Sequence, residues 1–374
     1  MSTVSRRYLF YVTEQYAYPI LRPLQRAIEA IGGELAWFIH GETGLGDGLE
    51  PSDQRLEAVA DVIDYCPDAV LTPANVVPHF FPGVKVQLFH GFNARKRSRG
   101  KLDSHFALPG FFDLYCTQGP STTSVFEQLA KQHGYFRVVE TGWPKMDPLF
   151  QPADALSNAS RATHVFGDSG RTGGSPDNRT PVVIVTSTFS KALSCAPHLY
   201  DAINALVAKR DKHWLVQFHP KMPSEWVDAY RALEREHGVD RGGNYHFIEG
   251  CDVLPYLRQA DVMVCDTSSI LQEFLQLNRP VVTFKNRTPG PWLIDFDRVD
   301  QLEQNIALAL TRPAPLMAAI AEYNADLHPY SDGQSSQRVL EAVEQSLVDD
   351  GRRRKPLNLL RKFKLRRQLH YWGC

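Results

Sequence analysis

Short apolar runs recur along this chain, each followed by a turn and an amphipathic stretch, and the whole series occurs twice. Runs of that length are strands covered on both faces, and strands that alternate with helices pair in parallel. In the first half, residues 8–12, 34–39, 69–71, 85–89, 114–116 and 137–139 read as strands, with helical patterns over 20–31 and 54–64. Residues 154–180 are rich in Ser, Gly, Asn, Asp, Arg and Thr without periodicity, which predicts an exposed linker or excursion. The pattern then restarts, with strands at 181–185, 214–218, 245–248, 262–265 and 281–284 and helices at 199–209, 226–237 and 269–277. A closing helix is expected over 335–348. At 374 residues the chain exceeds one ordinary core. The expected organisation is an N-terminal Rossmann-like domain (1–153), the linker, a C-terminal Rossmann-like domain (181–350) and a tail (351–374). The fold class is α/β, with two facing domains and ligand in the cleft beside the carboxyl ends of the strands. Neither a Gly-x-Gly-x-x-Gly nor a Walker loop is present.

Composition narrows the function classes. Hydrophobic residues make up 43% and charged residues 22%, the profile of a soluble globular protein. No stretch approaches the ~20 apolar residues of a membrane-spanning helix. The apolar run after Arg6-Arg7 is too short for a signal peptide and suits a first buried strand. Six cysteines without metal spacing read as reduced cytosolic thiols. The net charge of −1 hides an asymmetry. Residues 352–367 hold nine Lys and Arg with no acid, so the rest carries 32 basic against 42 acidic side chains. An acidic body argues against an extended nucleic-acid track.

Residues just after a strand's carboxyl end carry ligands in such sheets. His90 follows an apolar run and precedes Gly91, whose bare backbone permits close approach of a ligand. His219 follows Leu-Val-Gln-Phe and precedes Pro220-Lys221. Asp266-Thr267-Ser268-Ser269 follows Val-Met-Val-Cys and opens a helix. The free N–H groups of a helix start attract an anion, and the serines add hydroxyl donors; simple capping is the plainer reading of the same residues. The basic stretch 95–101, including Arg95 and Lys96, is either a phosphate-gathering loop or a solvated turn.

These segments together resemble the CDP-glycerol glycerophosphotransferases, which build teichoic-acid-like polymers of the bacterial envelope. Gln87-Leu88-Phe89-His90-Gly91 resembles the family's His-Gly motif, and Thr141-Gly142-Trp143-Pro144-Lys145-Met146-Asp147 its Gly-Tyr-Pro-Arg-x-Asp segment. Phe218-His219-Pro220 is similar to the His-Pro motif, Asp266 to Ser269 to Asp-Tyr-Ser-Ser, and Tyr330 to Arg338 to a C-terminal Asp-Gly-Lys-x-Ser-x-Arg stretch. The chain departs from the family after His90, and at Val185-Thr186-Ser187-Thr188-Phe189-Ser190, where the family has Ala-Pro-Thr-Trp-Arg.

The resemblance implies a GT-B fold and transfer of glycerol phosphate from CDP-glycerol to an acceptor hydroxyl, releasing CMP. His90 is then the general base and His219 a donor to the phosphates or the departing CMP. Thr188, Lys221, Asp266, Thr267, Ser268, Ser269, Ser335 and Arg338 fall on the donor side; Gly91, Arg95, Lys96, Lys145 and Asp147 fall on the acceptor side. No protein-held cofactor or metal is expected. The partners implied are a CDP-linked donor and a lipid-linked or oligosaccharide acceptor, with no nucleic acid. Two other readings remain open: a transferase or epimerase using a UDP- or GDP-sugar, and a non-catalytic nucleotide-binding module at a membrane.

The tail adds a partner of its own. Arg352, Arg353, Arg354, Lys355, Arg361, Lys362, Lys364, Arg366 and Arg367 interleave with Leu357, Leu360, Phe363, Leu365, Tyr371 and Trp372. That pattern predicts an interfacial segment on an anionic membrane, placing the protein at the inner face of the cell membrane; a solvated disordered tail is the alternative.

Overall fold

Every apolar run expected as a strand forms one in the computed structural model, which describes residues 5–92, 104–151, 165–166, 179–219, 221–250, 253–348 and 354–372. The linker expected at 154–180 lies almost wholly outside the described residues. Two units are formed. One takes the described residues up to Phe92, those from 104 to Phe150 and those from Asp326 onward; the other takes those from Gln151 to Ala325.

The first unit holds seven strands: β1 (Arg7–Val12), β2 (Glu34–Ile39), β3 (Arg55–Leu56), β4 (Ala69–Thr72), β5 (Val84–Gln87), β6 (Leu114–Thr117) and β7 (Arg137–Glu140). Their order is β3-β2-β1-β4-β5-β6-β7, and every pairing is parallel. All side chains of β1 after Arg7 are buried, as a central parallel strand requires. The helices are α1 (Tyr18–Ala30), α2 (Val59–Tyr65), α3 (Pro120–His133) and α4 (Asp147–Phe150). Phe81, Phe111, Phe112, Tyr115, Phe126 and Phe136 fill the core on one face.

The second unit holds β8 (Val182–Ser187), β9 (His213–Phe218), β10 (Tyr245–Phe247), β11 (Val262–Cys265), β12 (Val281–Phe284) and β13 (Ile294–Phe296), ordered β10-β9-β8-β11-β12-β13 and again parallel. With them run α5 (Ala196–Ala208), α6 (Ser224–His237), α7 (Leu254–Leu257), α8 (Ile270–Leu275) and α9 (Leu302–Leu310). The core closes on Trp214, Tyr230 and Tyr245, whose two tyrosine hydroxyls donate to the carbonyls of Ala196 and Tyr230. Helix α10 (Ala314–Leu327) leads into the last stretch, which carries α11 (Ser335–Val348) and α12 (Leu359–Gln368).

Three expectations are corrected. The stretch 54–64, read as one helix, splits into strand β3 and helix α2. The Asp61 carboxylate accepts the N–H groups of Glu57 and Ala58, which fixes the helix start and leaves Arg55 and Leu56 to pair with β2. The helix expected over 269–277 is shorter, ending at Leu275 before Asn278 turns left-handed at φ 51°. The largest change is at the end of the chain: α11 has the expected bounds but belongs to the first unit, so the division falls near residue 325 rather than 350.

Buried polar contacts explain that placement. The Asp147 carboxylate accepts the N–H groups of Ser335 and Ser336 at 2.8 Å each and the Ser336 hydroxyl at 2.6 Å. It thus occupies the start of α11, where a carboxylate meets unpaired N–H groups and the positive end of the helix dipole. Burial still leaves this carboxyl raised above its ordinary range, against the pull of those serine bonds. Nearby, the His328 imidazole accepts the Trp143 backbone N–H at Nε2 (3.0 Å). Gly142, at φ 77°, lies so close that an added Cβ would meet the Ser335 hydroxyl at 2.5 Å. Segments about 190 residues apart in sequence are thereby locked together.

Burial pushes the His328 imidazole down to about 4. A histidine lowered on folding gives stability that is complete above its unfolded value of ~6.5 and is lost as pH falls toward 4. The loss is about 3 kcal/mol. The raised Asp147 carboxyl acts in the opposite sense, its contribution fading as pH rises. In His328→Gln, whose amide oxygen can still accept the Trp143 N–H, the fall in denaturant-unfolding free energy between pH 6.5 and 4 should shrink by about that amount. An unchanged slope would contradict the assignment.

Candidate functional site

In a parallel sheet the strand order reverses at one point, and the loops at the carboxyl ends of the two strands there diverge and leave a crevice. In the first unit the reversal lies between β1 and β4, and His90 stands beside it. β5 ends at Gln87, the Leu88 N–H donates to the carbonyl of Thr72, the last residue of β4, and Phe89 then turns left-handed at φ 57°. A bulky residue in that conformation costs ~1–3 kcal/mol and persists only where the surroundings dictate it. Here they do: the Phe89 ring is buried against His105, Tyr115 and Phe126, and its carbonyl faces the Trp143 indole N–H at 3.4 Å. The turn buries Phe89 and leaves the next residue, His90, exposed.

The state of the His90 ring follows from its partner. Its Nδ1 lies 3.2 Å from the Pro73 carbonyl oxygen, which can only accept, so in the neutral ring Nδ1 carries the hydrogen and Nε2 the lone pair. The Tyr16 ring, from the segment after β1, lies 5.1 Å from the imidazole. Among the described residues, an added Cβ on Gly91 would meet nothing within 4 Å.

In the second unit the reversal lies between β8 and β11, and one buried carboxylate bridges it. Asp266 accepts the Ser187 hydroxyl at 2.7 Å and the N–H groups of Thr188 and Cys195 at 3.0 Å each. Burial raises the Asp266 carboxyl, although these bonds pull it down, and burial pushes the neighbouring Cys195 thiol well up. Asp266 therefore shapes the loop after β8. Thr267 does similar work, its hydroxyl accepting the Arg287 N–H at 3.0 Å while Asn286 donates to the Asp266 carbonyl. Ser268 and Ser269 are half-buried, and Ser269, the N-cap of α8, makes no side-chain capping bond. The plain capping reading is absent there, and α8, with six residues, has only a small dipole.

His219 follows β9, next to β8. Its Nδ1 accepts the Lys221 backbone N–H at 3.0 Å, so the neutral ring carries its hydrogen on Nε2. The Phe189 ring, from the loop after β8, packs 4.5 Å away. In their neutral forms the two histidines thus have opposite tautomers, with the hydrogen on Nδ1 in His90 and on Nε2 in His219.

Other expected residues fall as follows. Thr188 is buried and Lys221 exposed. Lys145 lies half-buried with its ammonium 5.3 Å from the Trp143 ring. Asp147 is buried at the start of α11. Ser335 and Arg338, expected beside the donor, belong to the first unit, not to the unit that carries 266–269; the Ser335 N–H is taken by Asp147, and Arg338 pairs with Asp332 over the Tyr330 ring. Their positions follow from the docking of α11. Arg95, Lys96, Pro220, Arg352 and Arg353 lie outside the described residues. Among the described residues no three His, Cys, Asp or Glu side chains gather as metal ligands.

Sequence reading missed Lys285 and Arg287. Both are exposed in the loop after β12, which is stapled to the Asp266–Thr267 loop through Asn286 and the Arg287 N–H, and Lys285 itself turns left-handed at φ 52°. Cations directly after the Val-Val-Thr-Phe strand were the available signal.

No protein-family model matches the chain, and no curated protein matches it by sequence. Solved structures do. The wall teichoic acid polymerase TagF is 14% identical at a TM-score of 0.61, covering 91% of this chain and 88% of its own; a variant of it has been soaked with CDPG. A UDP-N-acetylglucosamine 2-epimerase (so described) from Listeria monocytogenes is 13% identical at 0.60, covering 95% and 100%. The S. aureus MnaA–UDP structure is 14% identical at 0.57, covering 92% and 97%. At such identities the likeness shows the fold alone: α/β of the GT-B type, with seven- and six-stranded parallel sheets.

Asp266→Asn replaces an acceptor oxygen with a donor facing existing donors, and should cost about 3 kcal/mol of stability. Ser268→Ala with Ser269→Ala should leave the melting temperature nearly unchanged, since no cap is lost. A drop equivalent to ~1 kcal/mol or more would show that the hydroxyls do cap α8.

Proposed function

We propose that this protein is a GT-B enzyme that transfers glycerol phosphate, or a related alditol phosphate, from a CDP-linked donor to a hydroxyl of a lipid-linked glycan during cell-envelope polymer synthesis. The neutral-ring tautomer of His90, with the lone pair on Nε2, supports the reading, because such a transfer needs a group that accepts the proton of the attacking hydroxyl. The acceptor hydroxyl attacks the phosphorus that bears the glycerol. His90 Nε2 takes its proton, the new P–O bond forms, and the anhydride P–O bond breaks, its electrons leaving with CMP. His219 Nε2–H donates to the phosphate oxygens as charge develops on them. The hydroxyls of Ser268 and Ser269 and the cations Lys285 and Arg287 bind the diphosphate, and Lys221 adds charge beside His219. The polymerase soaked with CDPG supports this donor class.

A second reading, a UDP- or GDP-sugar transferase or epimerase, is favoured by the epimerases of the same fold. It needs the same diphosphate contacts but another base and sugar. No described helix is long and apolar enough to cross a membrane. In our reading the protein works peripherally, at the inner membrane face where lipid-linked acceptors lie.

A melting screen against CDP-glycerol, CDP-ribitol, UDP-N-acetylglucosamine and GDP-mannose separates the donor readings. A ligand at a hundred times its Kd stabilises the folded state by about 2.7 kcal/mol. CDP-glycerol or CDP-ribitol should give the largest rise; a rise confined to UDP- or GDP-sugars favours the second reading. His90→Ala should lower turnover by about 100-fold or more with donor affinity nearly intact, whereas His219→Ala should lower both. Near-normal turnover of His90→Ala would remove the base from the mechanism. Lys285→Ala with Arg287→Ala should raise the Kd for CDP but not for cytidine.

A further inference from the structure

The tail expected as an interfacial or disordered extension is neither loose nor extended where it is described. From 354 to 372 it is fixed to the first unit. Lys355 pairs with Asp113 at 2.6 Å and donates to the Phe111 carbonyl, Asn358 and Arg361 donate to the Pro109 carbonyl, and Leu365, only 7% exposed, enters the aromatic core. The Tyr371 ring packs tilted against Phe80 at 4.8 Å between centroids, with the Arg366 guanidinium 5.4 Å from the Phe80 ring. An added Cβ on Gly110 would meet the Asn358 amide at 2.3 Å, so the fit is close.

Docking of one side leaves another in water. Leu357, Leu359, Leu360, Phe363 and Trp372 are exposed, Leu360 by 88%, and the Phe363 and Trp372 rings lie 5.6 Å apart. Arg354, Arg361, Lys364 and Arg367 are exposed in the same segment, and no acidic residue occurs from 351 to 374. A protein partner is ordinarily met with mixed charge and satisfied hydrogen bonds. Large exposed aliphatic and aromatic side chains interleaved with cations, in a segment without acids, match a surface that is anionic outside and apolar beneath.

We propose that the C-terminal segment is a preformed membrane-contact face, docked on the first unit, that seats the protein on an anionic lipid bilayer. This deepens the peripheral-membrane part of the proposed function and is independent of the donor. Because the face is already ordered, binding does not pay the entropy of folding a free tail. Membrane affinity should therefore depend on docking residues that touch no lipid, which a flexible basic tail does not require.

The full chain is sedimented with vesicles of phosphatidylglycerol and phosphatidylcholine, or of phosphatidylcholine alone. It should bind the anionic vesicles and release in high salt. Leu360→Ser with Phe363→Ser, on the exposed face, should lower the partition coefficient by roughly tenfold or more with an unchanged melting temperature. Leu365→Ala keeps every charge and every exposed apolar side chain but weakens docking, and should also lower partitioning. Full binding by Leu365→Ala would overturn the docked face in favour of a loose tail. Equal binding by the surface variant, equal binding to both vesicle types, or lipid-independent self-association removed by the surface substitutions would overturn the membrane face altogether. A protein that binds vesicles as expected yet responds to no nucleotide would leave this inference standing and sink the donor reading.

Discussion

Parallel pairing governs most of what this chain does with its residues. A parallel strand cannot join its neighbour through a tight turn, so each pairing needs a crossover, and the crossovers cover the faces of the sheet. The central strands are accordingly mostly apolar, and polar residues gather toward their ends. Where the winding reverses, beside β1 and β4 in one unit and β8 and β11 in the other, the diverging loops leave room for a ligand. His90 and His219 stand at or next to those places, and the Asp266 carboxylate holds the second one in shape.

What separates the two histidines is their backbone surroundings rather than their kind. A carbonyl against Nδ1 forces the hydrogen onto that nitrogen, and an N–H against Nδ1 forces it off. The same side chain thereby becomes an acceptor in one unit and a donor in the other. Asp266 and Asp147 show a related economy. Each buried carboxylate collects backbone N–H groups from a distant segment, and each is raised by burial against the pull of those bonds. Both carboxylates thereby fix the backbone of the loops that they join.

Much of the fold was legible because period and length suffice for it. Residues 262–265 and 281–284 form strands with the expected bounds, since uninterrupted Val-rich runs bounded by turns have few other uses. Short edge elements were not legible. β3 has two residues and β13 three, too few for a pattern, and both depend on a neighbour offering its edge. The positions of His90 and His219, each shortly after the carboxyl end of a strand, were legible. Which unit Ser335 and Arg338 join was not legible, because it depends on the docking of α11, and Lys285 and Arg287 were not singled out.

The sequence by itself determined the alternation of strand and helix, the parallel class, the two-part organisation and the unbalanced charge of the tail, because these depend on local periodicity and composition. Tertiary structure alone decided the rest. It placed α11 and α12 with the first unit, since that depends on a carboxylate meeting N–H groups about 190 residues away and on Leu365 finding an aromatic pocket. It also chose the two histidine tautomers. Pro73 is 17 residues from His90, and only the pairing of β4 with β5 brings its carbonyl to the imidazole.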